Sequence, residues 1–552
     1  MNTLKLKLVN GKTIEARKGI IVADLINKFK LKGENEPILG RLNNNYLELS
    51  SPLTEDGEFE VLDITHQMGM KAYIRTLQFI LIRAVCDIFP KAKITIEHSL
   101  GNALFGEIHK EIPLDSEDLI KIKEKMQEII DADYPIHKVS KTTEEAIKIF
   151  EGYGLEDKVR LLKHQDIEEF NLYELNGRYD YFYGLMANST GVINLFDLMY
   201  YEPGFILRFP SEKNPNEIPI FVERKKLTKI FYETEQWGNI LGVGDVGSLN
   251  EKVDNNEIID IIRVSEALHE KKIAYIADMI HDRKEVKVVL IAGPSSSGKT
   301  TFAKRLGIQL RVNGYIPIPI SLDDYFVDRD KTPLDEEGKP DFESLYALDL
   351  DLFNKHLNDM LQGKEVEVPK FNFKTGKREE KGEKLSIPKN GIILIEGIHG
   401  LNDMLTSTIP AENKFKIYIS ALTQLNLDDH NRIPTTDVRK IRRIVRDFLS
   451  RGYGGEQTLM MWPSITRGEE RNIFVFQEEA DVMFNSTIVY ELCVLKKFAL
   501  AELSKIKPDS PVYYEANKLK TFLSFFKEVD TSLVPENSIL REFIGGSCFY
   551  KY

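Results

Sequence analysis

The stretch GPSSSGKT, residues 293–300, constrains the fold of this chain more than any other feature. It follows VKVVLIA, a run of apolar and β-branched residues that is typical of a strand buried on both faces. It precedes TFAKRLGIQLRV, in which apolar residues recur with helical spacing. A strand, a Gly-rich loop and a helix in this order are the context that a Walker A pattern requires. The sequence therefore predicts a P-loop NTPase domain, a parallel sheet flanked by helices.

The residue types of this loop fit a nucleoside triphosphate with Mg²⁺. Glycines let backbone N–H groups turn toward phosphate oxygens, and the helix that follows adds a partial positive charge. Lys299 is placed to reach the β- and γ-phosphates, and Thr300 to coordinate Mg²⁺. We expect ATP and Mg²⁺ to be bound by Gly293, Pro294, Ser295, Ser296, Ser297, Gly298, Lys299, Thr300 and Thr301.

Two further strand-like runs end in acidic residues. YIPIPIS leads into LDDYF, which places Asp323 and Asp324 at the carboxyl end of a strand, and GIILIEG ends in Glu396. Ligands of open α/β sheets bind at this edge. We expect Asp323 to accept a proton from an attacking hydroxyl group and Glu396 to hold Mg²⁺ together with Thr300. The alternatives are an acidic turn or helix cap for either Asp, and a solvent-facing acid at Glu396.

Other motifs narrow the class of P-loop protein. The NKxD pattern with which GTPases recognise guanine is absent, because NKFK, NKHL and NKLK all lack the final Asp, and GYGGEQ lacks the Leu-Ser start of the ABC-ATPase signature. One helical segment carries Arg439, Arg442, Arg443 and Arg446 along one face. Guanidinium groups suit phosphoryl oxygens, although a solvated helix paired with nearby acids is the alternative. Together these features favour a kinase.

The order and spacing of GPSSSGKTT, SLDDYFVDR, VPKFNFKTGKRE, LIEGIHGL and VRKIRRIVRDFLSRGYGGEQTL resemble the uridine kinase and phosphoribulokinase family over about residues 286–490. The resemblance implies that Asp323 is the general base for a 5′-hydroxyl group. It also implies that Lys299, Arg443 and Arg446 act on the transferring phosphate. Residues implied to bind the nucleoside are Tyr325, Glu343, Pro369, Phe371, Phe373 and Arg378.

The sequence departs from the family at two of its nucleoside-recognition positions. Glu343 stands where the family has a ribose-binding Asp, and Gly376 stands where it has a base-contacting His. A site that lacks such a partner recognises its substrate less sharply or recognises a different substrate. On the resemblance of the other motifs, we expect a nucleoside kinase for uridine or cytidine. A kinase for another small alcohol or sugar is the nearer alternative.

The N-terminal half predicts two more domains and a connector. Residues 1–62 alternate as strands around one helix and resemble the β-grasp TGS domain, and residues 63–235 resemble the α+β editing domain of threonyl-tRNA synthetases. Arg75 and Phe79 stand where that domain has its two helical histidines, and residues 176–191 contain no Cys or His, so we expect no editing chemistry. Residues 236–283 predict a helical connector and residues 284–552 the kinase domain with a helical C-terminus.

Composition and charge limit the classes of partner that this chain can have. The net charge of −12 disfavours a broad nucleic-acid surface, although an RNA-associated regulatory NTPase that uses the N-terminal half remains a second hypothesis. No apolar run is long enough to cross a membrane, and Cys86, Cys493 and Cys548 fit neither a disulfide framework nor a zinc site. We expect a cytoplasmic protein that acts on a small molecule. The sequence leaves a homo-oligomer open.

Overall fold

The computed structural model describes residues 3–31, 33–165, 167–335, 338–372, 375–423 and 425–550. It confirms the predicted multidomain α/β and α+β architecture. Within these ranges, no helix has both the length and the apolar composition that a membrane span needs.

A five-stranded mixed sheet with one helix forms the N-terminal module. Its elements are β1 (Thr3–Leu8), β2 (Thr13–Arg17), α1 (Val22–Phe29), β3 (Leu39–Leu42), β4 (Asn45–Glu48) and β5 (Gly57–Leu62). The strand order is β2-β1-β5-β3-β4. Leu4, Leu6 and Leu8 of β1 face the core while the lysines between them face solvent, as the alternating pattern predicts.

The second region wraps two antiparallel sheets around a long buried helix. Its elements are α2 (Gln67–Ile88), β6 (Lys93–Ser99), β7 (Ala103–His109), α3 (Ser116–Asp131), β8 (Ile136–Thr142), α4 (Thr143–Tyr153), α5 (Glu156–Lys163), β9 (Glu169–Leu175), β10 (Arg178–Asp180), β11 (Asp197–Tyr201) and β12 (Gly204–Arg208). One sheet has the order β10-β9-β8 and the other β11-β12-β7-β6. Most of α2 is buried, which places its few polar residues where a cleft can use them.

Three helices connect this region to the C-terminal half. They are α6 (Lys225–Leu241), α7 (Val246–Asp254) and α8 (Ile258–Asp282). Helix α6 begins at Lys225, earlier than the connector that the sequence predicts, because KKLTKIFYETEQWGNIL already has an amphipathic helical pattern.

The C-terminal half is built on a parallel sheet with the strand order β14-β19-β13-β20-β23. Its elements are β13 (Val288–Ala292), α9 (Lys299–Val312), β14 (Ile316–Ser321), α10 (Leu350–Leu361), β15 (Val366–Val368), β16 (Phe371–Asn372), β17 (Lys377–Arg378), β18 (Glu383–Leu385), β19 (Gly391–Glu396), β20 (Lys414–Ser420), β21 (Asn426–Asp428), β22 (Asn431–Arg432), α11 (Thr435–Arg451), α12 (Gly455–Asn472), β23 (Val482–Asn485), α13 (Glu491–Leu503), α14 (Tyr513–Ser524) and α15 (Arg541–Ile544). The central strand β13 is buried along its whole length, and its carboxyl end delivers the phosphate loop.

A buried polar network joins the β21–β22 hairpin to the second region. Lys158 is 1% exposed, and its Nζ lies 2.8 Å from Asp428 Oδ1 and 3.0 Å from Asp180 Oδ1. The Nδ1 atom of His430 lies 2.7 Å from Asp180 Oδ2. Burial opposes charge on Asp180, but His430 and Lys158 outweigh it and hold the pKa of Asp180 below its ordinary value. These buried ion pairs and this hydrogen bond therefore join the second region to the C-terminal half just before α11 begins.

Candidate active site

The phosphate loop connects β13 to α9 through backbone angles that need small residues. Ser296 and Gly298 have φ angles of 60° and 82°. A Cβ atom on Gly293 would lie only 2.2 Å from the carbonyl oxygen of Ile419 in β20. The loop can therefore pass this close to the neighbouring strand only with glycine at position 293, and it brings its N–H groups to the start of α9.

The Lys299 side chain folds back over the loop. Its Nζ donates to the carbonyl oxygens of Gly293 at 3.0 Å and Pro294 at 3.2 Å. Burial lowers the pKa of Lys299, although Glu396 and Asp323 oppose the shift. Among the described residues, these two carbonyls are the hydrogen-bond partners of the half-buried ammonium group, which can exchange them for phosphate oxygens.

Thr300 and Glu396 form the candidate Mg²⁺ position. Thr300 Oγ1 donates to Glu396 Oε1 at 3.4 Å, and Ser321 Oγ donates to the same oxygen at 3.0 Å. Burial, and then the charge of Asp323, raises the pKa of Glu396 to about 7. The charge of Lys299 acts on Glu396, but no described cation forms an ion pair with it, and a carboxylate next to a hydroxyl group fits Mg²⁺. In the part of the chain that the structure describes, no three His, Cys, Asp or Glu residues group into a metal site.

Asp323 and Glu343 face this centre from two separate loops. Asp323 follows β14 and is half-buried, and no described residue forms a hydrogen bond or ion pair with its carboxylate. Its charge acts on both Lys299 and Glu396. Burial, and then Glu469, raises the pKa of Glu343 to about 7, while Lys299 and Arg443 act in the opposite direction. The structure thus brings the two predicted residues to one electrostatic environment beside the phosphate loop.

The arginines of α11 divide into two groups. Arg439 donates from Nε to the Ser295 carbonyl oxygen at 3.1 Å, and Arg443 donates to the Ser295 hydroxyl group. Arg442 is fully buried; it donates to the Ser296 carbonyl oxygen of the loop at 3.3 Å and also to Ser486 and Glu491 of the core. The stripe predicted from spacing therefore reaches the loop through Arg439, Arg442 and Arg443, and Arg442 also ties the loop to the core.

Arg446 lies one turn further along α11. Its Nη2 lies 2.8 Å from Asp447 Oδ1, and Arg443 Nε lies 3.1 Å from Asp447 Oδ2. A single buried carboxylate thus organises both of the predicted phosphate-binding arginines. Arg446 donates from both Nε and Nη2 to the same oxygen, Asp447 Oδ1, whereas Arg443 forms an ion pair with Asp447 without a hydrogen bond.

The structure does not gather all of the predicted nucleoside-binding residues around an open pocket. Tyr325 is 0% exposed, its ring packs edge-on to Phe353, and its hydroxyl lies 3.1 Å from His356 Nδ1. Arg378 uses its guanidinium on the carbonyl oxygens of Tyr325 and Phe326 and on Asp349. Tyr325 is therefore a core residue that packs on Phe353 and His356, and Arg378 holds the loop that carries Asp323 through its backbone carbonyl oxygens.

The segment expected to contact the base is only partly described. The Phe371 N–H donates to Asp324 Oδ1 at 3.2 Å, and its ring lies 5.7 Å from the Phe326 ring. Phe373 lies outside the described residues. Gly376 has a φ of 70°, a left-handed conformation that disfavours His at this position, and a Cβ there would lie 2.8 Å from Arg329 Nε. The backbone conformation at position 376 therefore accounts for glycine there in place of the expected histidine.

Two carboxylates that the sequence pattern does not predict accept hydrogen bonds from the phosphate loop. Glu469 of α12 accepts the Ser295 N–H at 2.8 Å, and Glu542 of α15 accepts the Thr301 N–H at 3.2 Å and its hydroxyl at 2.9 Å. Neither acid is near the loop in sequence and neither belongs to a recognisable motif. Both satisfy backbone donors that phosphate oxygens use in P-loop proteins.

The C-terminal half matches a known kinase family. Residues 288–488 match the sequence model of the Phosphoribulokinase / Uridine kinase family. These residues therefore form a kinase-type phosphotransferase region. The match begins at β13 and ends directly after β23, so it contains the loop, both strand-end acids and α11.

The N-terminal half is similar to threonine–tRNA ligases. The ligase of Caldanaerobacter subterraneus subsp. tengcongensis is 30% identical over 200 residues, which is 36% of this chain and 31% of that protein. The ligase of Acetivibrio thermocellus is 30% identical over 197 residues, with the same shares of each chain. The chain thus spans about a third of the length of the curated relatives it matches.

Solved structures of kinases align with part of the chain. A structure described as a possible uridine kinase from Bacillus stearothermophilus has 20% identity and a TM-score of 0.25, and covers 36% of this chain and 89% of its own. A D-glycerate 3-kinase from Cryptococcus neoformans has 14% identity and a TM-score of 0.23, and covers 50% of this chain and 87% of its own.

Proposed function

We propose that this chain, which joins a phosphoribulokinase / uridine kinase region to a threonine–tRNA-ligase-like half, is an ATP- and Mg²⁺-dependent kinase for the 5′-hydroxyl group of a nucleoside such as uridine or cytidine. The observation that carries this proposal is the Asp323 carboxylate. It stands at the carboxyl end of β14 without a hydrogen-bond or ion-pair partner among the described residues, beside Lys299 and Glu396. An unpaired carboxylate in that position is suited to accept a proton.

Each residue then has one task in the transfer. Asp323 accepts the proton of the acceptor hydroxyl group while the hydroxyl oxygen bonds to the γ-phosphorus of ATP. The bond between that phosphorus and the β–γ bridging oxygen breaks, and ADP leaves. When bound, Mg²⁺ neutralises phosphate charge and is held by Thr300 and Glu396. Lys299 exchanges its loop carbonyls for phosphate oxygens. Arg443 and Arg446 stabilise the charge that develops on the transferring group.

The direct test replaces the proposed base. We expect Asp323→Asn to lower kcat at least about 100-fold, within the usual contribution of a general base, while the Kd for Mg·ATP stays within about twofold. Asp330→Asn is the matched control, because Asp330 is an exposed acid of the same loop. Wild-type turnover in Asp323→Asn would exclude this carboxylate as the base.

A kinase for another small alcohol or sugar is the second candidate. It is favoured by the nucleoside-recognition positions, since Gly376 offers no side chain to a base and Tyr325 is fully buried. ADP release measured against a panel of nucleosides, sugars and sugar alcohols separates the two candidates. Stimulation confined to nucleosides supports the first, and stimulation confined to the other alcohols supports the second.

A further inference from the structure

A cavity of about 570 Å³ lies between the ligase-like half and the kinase half, at the start of α11. One wall is a half-buried stripe of α2, with Lys71 and Arg75. The opposite wall is β22 and the start of α11, with Arg432 and Thr436. A volume of this size is typical of sites for small molecules.

Among the described residues, three cations in the walls of this cavity, Lys71, Arg75 and Arg432, form no ion pair. The charge of Asp437 acts on Lys71 and Arg432, and that of Glu515 acts on Lys71, but neither carboxylate pairs with them. Lys518, a fourth cation in the lining, is neutralised by Asp437 at 2.6 Å. Burial, and then the charge of Lys518, lowers the pKa of Lys71 to about 8, and burial lowers the pKa of Arg432 to about 10. In a chain of net charge −12, a half-buried group of unpaired cations is an unusual arrangement that an anion would stabilise.

The backbone is shaped to hold one of these cations in place. Arg75 donates from Nη1 to the Leu185 carbonyl oxygen at 3.0 Å. A Cβ atom on Gly184, whose φ is 131°, would lie 2.3 Å from Arg75 Cζ, so glycine makes room for the guanidinium. Arg75 occupies the α2 position at which an editing domain of the resembled type has a histidine. A cation therefore stands where the resembled domain has a histidine.

We propose that this cavity binds a small phosphorylated molecule whose phosphate is held by Lys71, Arg75 and Arg432. Guanidinium groups bind phosphate oxygens in a bidentate manner, and an ammonium group adds a compact charge. The remaining volume accepts the body of the ligand against Met70, Ile74 and Phe209. The acids Glu212 and Glu470 are exposed at the rim; the charges of Glu212 and Lys71 act on each other, but the two residues form no ion pair. This site stands independently of the proposed kinase activity.

The test is phosphate binding to the full chain with the phosphate loop saturated by Mg·ADP, measured by equilibrium dialysis of labelled inorganic phosphate. We expect one retained site. Arg75→Gln and Arg432→Gln should each weaken it at least about tenfold, and Lys213→Gln, at the exposed rim, should leave it within about twofold. Equal binding by all variants, or no retained site, would overturn the proposal.

Lys71→Met separates a loss of phosphate binding from a loss of folding. Because it removes a buried unpaired charge, it should raise the Tm of the ligand-free protein while it weakens phosphate binding. A Tm that falls together with unchanged phosphate binding would contradict the assignment. Citrate serves as a carboxylate probe, and displacement of phosphate by citrate at equal concentration would count against a phosphate-selective site.

Discussion

The candidate Mg²⁺ site predicts a specific dependence on pH. Burial and the neighbouring Asp323 raise the pKa of Glu396 to about 7. A raised carboxyl pKa means that the neutral form persists to higher pH, and Mg²⁺ binding requires the charged form. Mg²⁺ binding is therefore strongest well above pH 7 and weakens as the pH falls through 7. With this pKa, the ionised fraction falls about tenfold from pH 8 to pH 6, which corresponds to about 1.4 kcal/mol of Mg²⁺ affinity.

The assay is a Mg²⁺ titration of the ADP complex with a fluorescent nucleotide at several values of pH. Because nucleotide phosphates titrate in the same range, Glu396→Gln is the necessary control: it shares the titration of the nucleotide and lacks that of the carboxylate. The ratio of wild-type to variant affinity should fall about tenfold from pH 8 to pH 6. Glu343→Gln, which removes the other acid with a pKa of about 7, should leave the wild-type profile in place. A ratio that is constant across this range would refute the assignment of Glu396.

Three further predictions follow from single contacts. Glu542 competes with phosphate oxygens for the Thr301 N–H, and Glu542→Gln removes the charge of this competitor. We expect the Kd for ATP to fall about fivefold, which corresponds to roughly 1 kcal/mol. An unchanged or higher Kd in calorimetry would argue against this role. Lys158→Met leaves buried acids unpaired and should lower the free energy of unfolding by about 3–5 kcal/mol in urea denaturation, whereas a loss below about 1 kcal/mol would show that the network is not tightly coupled. Gly293→Ala would place a Cβ atom 2.2 Å from the Ile419 carbonyl oxygen, so nucleotide binding should be abolished while the circular dichroism spectrum is retained, and near-normal binding would contradict the geometry.

The parts of the fold that sequence reasoning predicted are those with local causes. The strand, loop and helix around Lys299 follow from residue periodicity and glycine placement, and the acids at positions 323 and 396 follow from strands that end at a known edge of the sheet. Each of these patterns lies within about ten residues, so it can be recognised without knowledge of the rest of the chain.

The parts that it did not predict depend on long-range contacts. Glu469 and Glu542 reach the loop across 174 and 241 residues, and no local pattern encodes those approaches. The spacing of the α11 arginines gives a common face, but only the packed structure turns Arg442 inward to Glu491. Tyr325 follows the proposed base in sequence, yet its side chain is buried because the turn at that point directs it to Phe353.

The most direct test of the account is the identity of the phosphorylated product. Purified full-length protein is incubated with Mg·ATP and a mixture of nucleosides and small alcohols, and the products are identified by mass spectrometry and ³¹P NMR. The account predicts one phosphate monoester, formed in amounts equal to ADP and absent with Asp323→Asn. ADP release without any phosphorylated acceptor, or release that only RNA stimulates, would contradict the claim that this chain is a small-molecule kinase.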